Sequence, residues 1–189
     1  MEDVLEVYKR PYDPLYPQVC FAECSKQLVS ETRQPLPIES GQPVRYDDEY
    51  ERAGVANLFP FSEPLTGWRQ VAVTERRIAF DDAQQMKYRV DEVYPSAIRI
   101  RLVQDPLNTH RPASLYKALA PAEAKRLLDK LEFQCTPTPT HGSWLNMAEI
   151  ELSVLARQCL NQRIPDLEQL QREVTAWQKR HNRLGRTID

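Results

Sequence analysis

The sequence predicts an α/β fold. Two kinds of pattern point to it. Short β-branched or alternating runs, the marks of strands, occupy the first half and return near residues 100 and 133. Between and after the later ones, apolar residues recur at helical spacing. The resulting order is three early strands, a helix, a strand, helices, a strand and then helices, which suits a sheet packed by helices. The chain has 189 residues, enough for one domain with a real core.

Residues 1 to 17 read as an irregular arm, because Pro11, Pro14 and Pro17 oppose a helix. Gln18 to Glu23 is a short apolar strand, and residues 30 to 43 form a Pro-rich polar connection. Val44 to Tyr50 and Val55 to Phe61 are extended segments around a turn at Ala53-Gly54. Pro64 to Gly67 is the next turn, and Trp68 to Thr74 alternates as a half-buried strand. Asp81 and Asp82 cap a helix with Ala83, Met86, Val90 and Val93 on its apolar face, stopped by Pro95. Ile98 to Gln104 is a strand ended by Asp105-Pro106. Helices follow over 113–119 and 121–131, the second opening on Pro121. Glu132 to Thr136 is a strand, and 137–143 is a loop. Trp144 to Leu160 is a helix, as is Asp166 to Asn182, capped by Asp166 and closed near Gly185.

The bulk numbers exclude several classes. No apolar run approaches membrane-spanning length, and the acidic N-terminus lacks a signal-like apolar region. The formal net charge of −2 is not the footprint of a strong stand-alone nucleic-acid binder. Arg76-Arg77, Arg99, Arg101 and the C-terminal Lys179-Arg180, His181, Arg183 and Arg186 could form local basic patches, although each one singly reads as a solvated surface charge. Cys20, Cys24, Cys135 and Cys159 show no zinc spacing, and an extended strand holds Cys20 and Cys24 too far apart for a disulfide. Reduced thiols point to an intracellular chain.

Two segments carry the chemistry. Asp105 ends a β-branched strand, and Glu149 sits near the start of the helix in His141-Gly142-Ser143-Trp144-Leu145-Asn146-Met147-Ala148-Glu149. From residue type alone, Asp105 is a turn-initiating Asp before proline and Glu149 an exposed helix residue. A carboxylate at a strand end and another near a helix start are also a recurring way to hold Mg²⁺. Glu151 is a weaker alternative, pointing about 200° away from Glu149 around the helix.

Together with Val19-Cys20-Phe21-Ala22-Glu23-Cys24, the segment 45–52, Asn57-Leu58-Phe59 and Glu63-Pro64-Leu65-Thr66-Gly67-Trp68-Arg69, these motifs resemble the DDE transposases of the bacterial insertion-sequence branch of the mariner-like superfamily. The resemblance covers nearly the whole chain. It implies an RNase H-like, retroviral integrase-like mixed sheet flanked by helices. It implies metal-dependent DNA cleavage and strand transfer, with Asp105 and Glu149 as catalytic metal ligands for Mg²⁺ or Mn²⁺. It implies transposon-end and target DNA as partners, with a homodimer also expected and no membrane. Asn108, His110 and His141 become DNA contacts, and the setting a bacterial cytoplasm, at the nucleoid. Under this reading 1–17 is an arm, 18–165 the catalytic domain, and 166–189 a C-terminal helix packed on or extending it.

The same comparison marks the copy as degenerate and truncated. The family's first Asp is replaced by Ala22, and a methyl group binds no metal. Glu23 points to the opposite face of a strand, so a rescue needs a bulge or register slip. Pro106 stands where the family has Asn, the run from Cys135 to Trp144 is longer and lacks a Lys, and no helix-turn-helix precedes the first strand. The expectations are therefore reduced metal affinity and impaired activity. The alternative is an inactive remnant acting as a DNA- or protein-binding module.

Overall fold

A computed structural model describes residues 2–34, 40–41, 47–76, 78–104, 112–135 and 146–187. The elements are α1 (Glu2–Tyr8), β1 (Gln18–Phe21), β2 (Cys24–Glu31), β3 (Tyr50–Glu63), β4 (Trp68–Thr74), α2 (Ala79–Tyr88), β5 (Ile100–Gln104), α3 (Pro112–Ala118), α4 (Pro121–Lys130), β6 (Leu131–Cys135), α5 (Met147–Leu155) and α6 (Leu167–Leu184). Both α2 and α5 widen at their ends into a π-type turn, over Arg89–Val93 and Ala156–Leu160.

The six strands form one mixed sheet. β3 is its long central member. β4 pairs antiparallel along one edge, while β1 and β2 pair along the other in succession. Phe21 faces Phe61 and Cys24 faces Leu58, so the register runs unbroken across Ala22 and Glu23. On its far side β1 pairs parallel with β5, and β5 parallel with β6.

Alternation along the strands sorts side chains to two faces. Val19, Phe21, Phe59, Phe61, Ile100 and Leu102 pack against α2, α3 and α4. Phe21 stacks on Phe61 with ring centroids 4.4 Å apart. The opposite face, with Leu28, Ala56, Leu58 and Val71, packs on α5 and α6 through Leu155, Leu170, Val174 and Trp177. Helical spacing of Leu170, Val174, Trp177 and His181 gives α6 its buried stripe.

Three sequence expectations require correction. Glu2–Tyr8 is a helix, since the prolines begin only at Pro11 and the buried Val4 and Val7 reward an amphipathic turn. The connection proposed from residue 30 begins too early, because β2 runs to Glu31. Ala53-Gly54 is not a turn but lies inside β3. The register shifts by one residue between Leu28 and Val29, and Gly54 absorbs this bulge at φ +118°, a conformation that favours glycine. The turn at Pro64–Gly67 does occur: the Gly67 amide donates to the Glu63 carbonyl at 2.9 Å. Gly67 has φ +71°, and a Cβ there would lie 2.6 Å from the Arg186 carbonyl oxygen.

Candidate functional site

The site is built where two parallel strands end. Phe21 at the end of β1 is in register with Gln104 at the end of β5. Each strand's next residue is a motif position, Ala22 on one and Asp105 on the other. Asp105 lies outside the described residues, as do Asn108, His110 and His141. Gln104, the last described residue before Asp105, is fully buried.

A third element is tied to the same place by Asn146. Its side-chain amide donates to the Phe21 carbonyl at 2.9 Å, and its oxygen accepts from the Ala148 amide at 3.1 Å. One fully buried side chain therefore caps α5 and fastens it to the end of β1. The fastening sets Glu149, in the first turn of α5, beside the strand. Glu149 is half-buried and lines a groove with Cys24, Lys26, Ser153 and Arg157. Burial, then the Glu149 and Glu23 carboxylates, push the Cys24 thiol up to about 11.

A family model for DDE superfamily endonucleases matches residues 18–171, most of the chain. The chain belongs to that family. Its fold also matches solved structures of the Mos1 mariner transposase. The Mos1 paired-end complex with Mn aligns with TM-score 0.59 at 16% identity, covering 98% of this chain and 56% of that one. The Mos1 strand transfer complex gives 0.60 at 17%, covering 94% and 51%. The pre-cleavage Mos1 transpososome gives 0.59 at 17%, covering 94% and 52%. The chain thus spans about half the length of the Mos1 chains it matches. No curated protein sequence matches it significantly. The shared architecture is the RNase H-like fold, as the motifs imply.

Within this DDE domain, position 22 is apolar in more than name. Ala22 is 5% exposed and packs with Val4, Val7, Cys20, Val103 and Ala148. The helix α1, missed in the sequence reading, supplies the two valines. Its Tyr8 hydroxyl accepts from the Met147 amide at 3.2 Å. Burial pushes the neighbouring Cys20 thiol up to about 12.

Asp105, the residue expected to join Glu149 at a metal, lies outside the described residues. A two-metal centre needs several carboxylates converging on one point. Position 22, where the resemblance expects the first ligand, carries a methyl group within an apolar cluster and no side-chain oxygen. Among the described residues no group of three or more His, Cys, Asp or Glu stands close enough to hold an ion.

Glu151 is committed elsewhere, forming a buried bidentate pair with Arg69: Nε donates to Oε2 at 2.5 Å and Nη2 to Oε1 at 2.8 Å. Glu23 follows Ala22 without the bulge or slip that would turn it to the same face, since the β1 and β2 registers are continuous. The sequence signal for Asn146 was its place inside the third motif. Its double hydrogen bond needs a partner 125 residues away, which spacing does not reveal.

Proposed function

We propose that this chain is the catalytic-type domain of a mariner-like transposase from the bacterial insertion-sequence branch. It acts on transposon-end and target DNA, and it is impaired in metal-dependent cleavage and strand transfer. Family membership supports the DNA chemistry, and the Mos1 structures are complexes described as paired-end and strand-transfer assemblies. Asp105 and Glu149 serve as the two remaining metal ligands for Mg²⁺ or Mn²⁺, with Asn108, His110 and His141 toward the DNA. The observation that carries the impairment is Ala22, an apolar contact at the junction of β1, β5 and α5. Residues 18–165 form the catalytic unit, with 166–189 packed on it and 1–17 preceding it. A second reading, an inactive remnant that binds DNA or protein, is favoured by the same residue.

The test is strand cleavage of a pre-nicked oligonucleotide in Mn²⁺. The chain as written is expected to cleave little or not at all, and the Ala22→Asp, Pro106→Asn double variant to cleave more. Robust cleavage by the unmodified chain, abolished by Glu149→Gln, would show that another residue has taken the place of the first Asp. Cleavage indifferent to Glu149→Gln would remove Glu149 from the site.

A further inference from the structure

The C-terminal half of α6 gathers cations that look scattered in the sequence. Val174, Trp177 and His181 face the sheet, while Lys179, Arg180, Arg183 and, just past the helix, Arg186 are exposed. The polar residues between them are used inward. The Asn182 side chain accepts from the Arg69 amide and donates to the Arg69 carbonyl, both at 2.8 Å, and Gln178 accepts from the Val71 amide at 2.9 Å. These bonds cap the outer edge of β4 and fix the helix's rotation. The exposed stripe is thereby held outward.

Among the described residues none of the four cations makes an ion pair, whereas Arg172 one turn earlier pairs with Glu168 at 2.5 Å. Glu173 lies beside Arg180 in a groove with Gln158 and Trp177. Two of the four cations also act on His181, whose pKa is lowered by burial, then by Arg69, Arg180 and Arg186, against an opposing Glu151. A chain of net charge −2 thus carries, along α6 and just past its end, a cationic strip without an ion pair among the described residues. From Lys179 to Arg183 the helix rises about 6 Å. Each strand of duplex DNA presents about one phosphate per 3.4 Å of the axis, so that span meets about two phosphates of one strand.

We propose that the exposed face of α6 at Lys179, Arg180, Arg183 and Arg186 is a docking surface for the phosphate backbone of duplex DNA, separate from the strand-end site at Ala22, Asp105 and Glu149. It rests on the reading of the chain as a DNA-acting domain, and adds where the duplex is held. The surface reads charge and not sequence, because contacts to phosphates carry no base information.

The experiment is fluorescence anisotropy with a labelled duplex across a salt series. It compares the chain, a Lys179→Gln, Arg180→Gln, Arg183→Gln variant, and a control with Arg99→Gln, Lys117→Gln and Lys125→Gln, which removes equal charge from other exposed positions. Gln keeps helix propensity. The stripe variant is expected to flatten the slope of log affinity against log salt by about 2 to 3 and to bind at least about tenfold more weakly near physiological salt. The control is expected to change the slope by less than about 1. Equal losses in the two variants, or a loss only in the control, overturn the surface while leaving DNA as partner. If the chain itself binds no duplex even at low salt, the DNA reading falls along with the surface. Stripe-dependent binding to heparin with none to duplex DNA overturns the assignment to DNA. Should the Gln variant fold poorly, the swap Lys179→Arg, Arg180→Lys, Arg183→Lys retains charge, and it must retain the salt slope. A change in melting temperature alone, with DNA binding intact, means the cations serve only the helix terminus and overturns the proposal.

Discussion

Ala22 has a methyl group among the side chains of Val4, Val7, Val103 and Ala148. An Asp placed there must bury a carboxylate among aliphatic groups, which costs about 1–3 kcal/mol or more without a partner. Ala22→Asp is expected to lower thermal stability in chelator, and added Mn²⁺ to return part of it by binding the folded state alone. Melting curves with and without Mn²⁺ check both halves. Stability unchanged in chelator would mean that the pocket around position 22 opens to water. Asn146 carries two bonds at once, so Asn146→Ala is expected to cost about 1–2 kcal/mol in denaturant melts. His181 lies stacked on Trp177, its Nε2 2.7 Å from Gln158 Oε1. Burial and the cations around it hold its folded pKa below the ordinary value of 6.5. The unfolded chain then takes up the proton first, so this contribution is whole above about pH 6.5 and is lost as pH falls through the folded value. His181→Phe, which keeps the stack, is expected to flatten the stability profile between pH 7 and 5. An unchanged profile would assign that pH dependence to other groups.

At the scale of elements, α6 is held to β4 by polar side chains as well as by its apolar stripe. The Arg69–Glu151 pair ties β4 to α5, and Arg69 also donates to the Gly67 and Arg186 carbonyls at 2.6 and 3.1 Å. Breaking one side of such a buried pair strands a charge. Arg69→Met is expected to cost about 3–5 kcal/mol, and Arg69→Met with Glu151→Leu clearly less. A double-mutant cycle by urea melting reads the difference. Elements with local signals were legible in the sequence. Trp68 to Thr74 declares β4 by alternation, Pro121 opens α4, and Asp166 caps α6, its Oδ1 accepting from the Gln169 amide at 2.7 Å. Elements decided by distant partners were not. β2 has half-exposed, mixed residues and is a strand because β3 lies beside it. Gly54 looks like a turn residue, but the chain runs straight through it as a bulge. Ile78 lacks a capping side chain, so α2 starts ahead of its acidic pair, with Asp81 accepting the Ile78 amide at 3.3 Å.

For the whole molecule, the fold and family agree with the motif reading, and β1, β5 and α5 meet at the strand ends although they lie far apart in sequence. The motifs do not show that Ala22 shares an apolar cluster with Val4 and Val7, because those valines come from α1, a helix the prolines argued against. Among the described residues no helix is long and apolar enough to cross a membrane. The proposed impairment rests on the replacement of a first metal ligand by the apolar Ala22. Calorimetric titration with Mn²⁺ tests it most directly, using the chain, Ala22→Asp, and Ala22→Asp with Glu149→Gln. The account predicts weak binding by the chain, binding at least about tenfold tighter in Ala22→Asp, and loss of that gain with Glu149→Gln. Tight binding by the chain as it stands, indifferent to Ala22→Asp, would contradict it.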